Sequence, residues 1–175
     1  NTISYTVNSA EEGSTLKFLT VGADSSLTVI DSSEEGEGGI VFNVIEEITA
    51  DGEDRETKIM TVDNQGVLNV ESGIIEANIS RKMGNDAKKD GNVHDTGVAI
   101  ENSGTVNLNG GTILTNVVTQ SCSYLTIQIS EAVAKGIINN GTINVTSGTI
   151  NTNAEAYAVQ ASGAVWKGKT WAYAY

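Results

Sequence analysis

One pattern runs through the chain three times without a gap. It reads N-x-G-x-[ILV]-N-[VL]-x-x-G-x-I-x-x-N and starts at Asn64, Asn102 and Asn139. A unit of this kind buries its apolar positions only by stacking on the next copy, so the repeat points to a solenoid. Fainter copies flank the three. Lys17-Phe18-Leu19-Thr20-Val21 echoes Lys58-Ile59-Met60-Thr61-Val62, and the stretch from Tyr157 to Val165 echoes that from Val98 to Val106. The turn glycines Gly141 and Gly163 are 22 residues apart, whereas Gly66, Gly104 and Gly141 are spaced by 38 and 37. The spacing therefore predicts coils of about 22 residues. The surplus near residues 80–95 and 118–134 would then be loops inserted at one recurring corner.

Within a coil the apolar residues alternate, the period of a strand with one buried face. Three short strands per coil are expected. Ile143 and Val145 point inward in one, Ile150, Thr152 and Ala154 in the next, and Ile100, Ile137 and Val159 in the remaining one. The glycine two residues after each repeat asparagine is expected to take a turn conformation that other residues reach only with strain. Asn64, Asn102 and Asn139 fall at one corner of successive coils, where their amides could bond from coil to coil as a ladder. The plain alternative is that they are simply good turn residues.

Composition supports many short strands and tight turns. The 175 residues include 19 glycines and no proline, and aromatic residues make up 5%. The formal net charge is −12, with 13 acidic and 3 basic residues in 1–60 against 2 and 3 in 102–175. The acidic front half argues against nucleic acid and anionic membrane as partners. Cys122 is the only cysteine, so no intrachain disulfide can form. No apolar run is long enough to insert in a membrane as a helix.

With these repeats in hand, the chain resembles the right-handed parallel β-helices of the pectate-lyase-like superfold. It is closer to the Asn/Gly/Thr-rich repeats of bacterial adhesins and autotransporter passengers. The resemblance spans nearly the whole chain and implies an all-β fold, with residues 1–175 a single solenoid domain of a longer protein. It implies an extracellular or cell-surface location and a role as adhesin or stalk, with a glycan or host surface protein as partner. The rival reading is a carbohydrate-active β-helix enzyme, a polysaccharide lyase or glycosidase. Such enzymes set acids and a basic residue on the outer face of one sheet. The outward positions read here are mostly neutral, such as Asn69, Asn107, Asn144, Thr105 and Thr142, which favours the non-catalytic reading.

No nucleophile or cofactor motif is present, and no catalytic residue or cofactor is assigned. Asp51, Glu53 and Asp54 are candidate calcium ligands beside Gly52, although their spacing does not match an EF-hand. The mixed-charge stretch around the first surplus is a candidate ligand edge: Arg81, Lys82, Asp86, Lys88, Asp90, His94 and Asp95. Trp171-Ala172-Tyr173-Ala174-Tyr175 alternates large and small residues and is expected to be the next strand of an unfinished coil, able to pair end to end with another copy.

Overall fold

The computed structural model describes residues 2–8, 13–33, 38–48, 54–83, 91–160 and 167–175. The chain forms β1 (Thr2–Val7), β2 (Ser14–Val21) and β3 (Ser26–Val29), then β4 (Gly39–Ile48), β5 (Arg55–Asn64) and β6 (Val67–Val70). It continues with β7 (Ile74–Met83), β8 (Val93–Asn102) and β9 (Thr105–Leu108), then β10 (Thr112–Ser123), β11 (Ile129–Asn139) and β12 (Thr142–Val145). β13 (Thr149–Gln160) and β14 (Lys169–Ala174) complete it.

Every third strand pairs in parallel, giving three sheets in a β-solenoid of about four turns. Sheet A runs β1-β4-β7-β10-β13, sheet B β2-β5-β8-β11-β14, and sheet C β3-β6-β9-β12. The last strand, containing Trp171 and Tyr173, lies beside β11, with Glu131 opposite Trp171 and Val133 opposite Tyr173.

The coil length corrects the expectation of about 22 residues. Thr105 lies opposite Val67 and Thr142 opposite Thr105, so successive coils are 38 and 37 residues long. Among the described residues the surplus is mostly strand: β7 and β10 extend to Met83 and Ser123, and β8 and β11 start at Val93 and Ile129. The echo at Tyr157 does not share the sheet of Val98 to Asn102. Tyr157 to Gln160 belong to β13 in sheet A, and Val159 sits opposite Cys122 rather than in the column of Ile100 and Ile137. Alternating small and apolar residues fit a strand of either sheet, so pattern alone cannot assign the sheet.

The core lies inside the stack. Phe42, Ile59, Leu68, Ile75, Ile100, Leu108 and Ile113 are all buried there. Ile143, Val145, Ile150 and Thr152 occupy columns of buried residues: Val106, Leu108, Ile113 and Thr115. Yet Val145 is 62% exposed and Ile150 48%. β12 and β13 are edge strands in this chain, so their inward side chains are covered from one side only.

The pattern's two glycines have different causes. Gly73, Gly111 and Gly148 have φ of +82°, +73° and +120°, the region that favours glycine. Gly66, Gly104 and Gly141 do not have positive φ, which corrects the expected turn conformation. They are needed for room: a Cβ on Gly104 would stand 2.1 Å from the Gly66 carbonyl oxygen of the preceding coil.

Candidate functional site

The interior is not wholly apolar. Along β7 the inward positions run Ile75, Ala77, Ile79, Arg81, Met83, and Arg81 is completely buried. Its Nε donates to Glu46 Oε2 at 2.9 Å, its Nη1 to Asp95 Oδ1 at 2.6 Å, and its Nη2 to Thr57 Oγ1 at 3.1 Å. This layer separates the main core from a small apolar cluster of Ile48, Met83, Val93 and Cys122. Burial pushes the Asp95 carboxyl up to about 7; Arg81 pulls it down and Glu46 raises it. Asp95 Oδ2 has no hydrogen-bond partner.

Arg81 and Asp95 are therefore structural interior groups, which corrects their assignment to a surface ligand edge. Period two sends Arg81 inward and its neighbour Lys82 outward. Lys82 is exposed on sheet A, opposite Glu47 and Gln120, while His94 lies half-buried on the outside of sheet B. Asp86, Lys88 and Asp90 lie outside the described residues, as do Asp51 and Glu53. Asp54 is exposed, and its Oδ1 accepts a hydrogen bond from the Asn92 backbone amide. Among the described residues no group of three or more His, Cys, Asp or Glu could hold a metal ion.

At the corner between sheets B and C, Asn64 Nδ2 donates to Asn102 Oδ1 and Asn102 Nδ2 to Asn139 Oδ1, both at 2.7 Å. Each donor amide also reaches a carbonyl of the next coil, Thr105 O and Thr142 O at 3.0 Å. A second row on the outer face of sheet C runs in the opposite direction, with Asn107 Nδ2 donating to Asn69 Oδ1 at 2.7 Å and Asn144 Nδ2 to Asn107 Oδ1 at 2.8 Å.

The outer face of sheet B differs from the neutral face of sheet C. One row across the strands is Glu56, His94, Glu131 and Trp171, and the next outward row is Lys58, Thr96, Val133 and Tyr173. His94 Nδ1 lies 3.0 Å from Glu131 Oε2. Lys58 pairs with Glu101 at 2.9 Å and Lys17 with Asp63 at 2.7 Å, a contact that raises the Lys17 ammonium above its ordinary value. A cleft of about 290 Å³ opens over Glu56, His94 and Glu131. Beside it a shallower hollow of about 650 Å³ is lined by Glu131, Val133, Lys135, Tyr173 and Tyr175.

No protein-family model, no curated protein and no solved structure matches this chain. The site therefore has to be read from its own chemistry. Sequence reasoning missed Glu56, Lys58, Glu131 and Lys135 as a group. The signal was present in β11, where Glu131, Val133 and Lys135 alternate with Ala132 and Ala134. It is hidden because the repeat spacing predicts a loop over 118–134, and because Glu56 and Glu131 lie 75 positions apart.

Proposed function

We propose that this chain is part of an extracellular or cell-surface protein in which the solenoid acts as an adhesin or stalk, with a glycan as its ligand. The observation that carries the reading is the contrast between the outer faces. Sheet C presents mainly Asn and Thr rows, such as Asn69, Asn107 and Asn144, whereas sheet B presents a cleft lined by carboxylates and an imidazole beside exposed aromatic rings. A rigid stack with one distinctive face suits display of a binding surface. Hydroxyl-rich ligands are held by a few polar groups placed among apolar ones. The partner class remains as the sequence suggests, a glycan or a glycosylated host surface protein.

The Glu131–His94 pair beside Glu56 also keeps the enzyme reading in view, since paired acid and base groups in a cleft can transfer protons. One experiment separates the two. The full chain is incubated with pectin, alginate, xylan and host-type glycans, and both retention and release of reducing or unsaturated ends are followed. Retention without release supports the adhesin or stalk. Turnover abolished by Glu131→Gln or His94→Ala would replace it with a carbohydrate-active enzyme.

A further inference from the structure

Trp171, Tyr173 and Tyr175 alternate along the edge of sheet B with Ala172 and Ala174, which share the columns of the buried Ala132 and Ala134. The three rings therefore all stand on the outer face, where they are 41%, 40% and 70% exposed. The Tyr173 and Tyr175 rings are nearly parallel, 6.3 Å apart, and the Lys135 ammonium sits 5.9 Å from the centre of the Tyr175 ring. Glu131 and Val133 line both hollows on this face, so the two adjoin and form one groove across β5, β8, β11 and β14. A strand added beside β14 would leave the groove open, because the groove lies on the face of the sheet and not on its edge.

We infer that this groove binds a neutral polysaccharide chain lying across the strands, with sugar rings against Tyr173 and Tyr175 and hydroxyls donating to Glu131 and Glu56. This rests on the glycan-binding reading and gives it a site and a ligand class. The electron-rich ring faces attract the polarised C–H face of a pyranose. The carboxylates accept from hydroxyls in charge-assisted hydrogen bonds. A neutral ligand fits the local charge: Lys58 is already paired with Glu101 and the Lys135 ammonium lies over the Tyr175 ring, while Glu56 and Glu131 face the cleft as acceptors. An anionic polysaccharide reaching into the cleft would meet like charge at Glu56 and Glu131.

The test is affinity electrophoresis of the full chain in gels holding soluble β-glucan, glucomannan, xylan or polygalacturonate, followed by calorimetric titration with the retarding polymer. At least one neutral polymer should retard the protein and polygalacturonate should not. Tyr173→Ala and the isosteric Glu131→Gln should each raise Kd tenfold or more, with thermal melting unchanged for Glu131→Gln. Asn144→Ala, on the outer face of sheet C, should leave Kd unchanged. If both sheet B variants bind as tightly as the parent, the groove is wrong while the glycan-binding reading stands. Retention by polygalacturonate alone overturns the neutral class. No retention by any polysaccharide overturns both the site and the reading it rests on.

Discussion

Arg81 shows how much a single buried side chain can determine. Its guanidinium is out of solvent and is satisfied by Glu46, Asp95 and Thr57, which come from three other strands of sheets A and B. Removing one partner of a buried ion group leaves uncompensated charge, so Arg81→Met should cost about 3–5 kcal/mol in urea unfolding. The Lys82→Met control next door, on an exposed side chain, should cost less than about 0.5 kcal/mol. Asp95 adds a pH signature. Its folded carboxyl titrates near 7 against a reference of 3.8, so between those values the folded state holds a proton that the unfolded chain has released. Its contribution to stability is full below about pH 3.8 and is lost as the pH rises to about 7. Urea midpoints of the parent should therefore fall between pH 4.5 and 7.5 relative to those of Asp95→Asn. Parallel profiles would show that this carboxyl does not titrate as described.

At the scale of the element, position in the stack outweighs position in the repeat. Leu108 and Val145 occupy one inward column, yet the first is 1% exposed and the second 62%. Leu108→Asp should cost roughly 3 kcal/mol or more through an unpaired buried charge. Val145→Asp should cost less than about 1 kcal/mol, because water reaches it. Thermal melts of equal midpoint would mean that β12 is covered. The turns give a second contrast. Gly104→Ala forces a Cβ against the carbonyl of the coil beneath and should cost about 3 kcal/mol. Gly13→Ala, at φ +69° with nothing within 4 Å, should cost only the roughly 1–2 kcal/mol of left-handed strain.

For the whole molecule, a solenoid stabilises each coil through its neighbours alone, so a coil can be removed if register is kept. Thr142 lies opposite Thr105, and deletion of residues 105–141 joins Gly104 to Thr142 while placing β12 beside β6, β13 beside β7 and β14 beside β8. The shortened chain should still unfold cooperatively, with a urea m-value lower by about a quarter, since m follows the surface exposed on unfolding. It should also lose glycan retention, because Glu131 and Lys135 go with β11. A non-cooperative melt would mean that the coils are not interchangeable in this way. The repeat by itself determined the solenoid, the three strands per coil, the inward columns of sheets A and C and the corner shared by Asn64, Asn102 and Asn139. All of these follow from period-two alternation and turn residues, which are local properties of the chain. Only the tertiary structure decided the coil length, the burial of Arg81 with Asp95 and the groove on sheet B. The coil length and the groove depend on which strands pair across 35 or more residues, and the Arg81–Asp95 contact on how sheets A and B face each other inside the stack. In sheet B the local signal even changes phase: the pairing skips the column of Phe18, Thr61, Ala99 and Gly136, so alternation read from one end assigns the wrong face at the other.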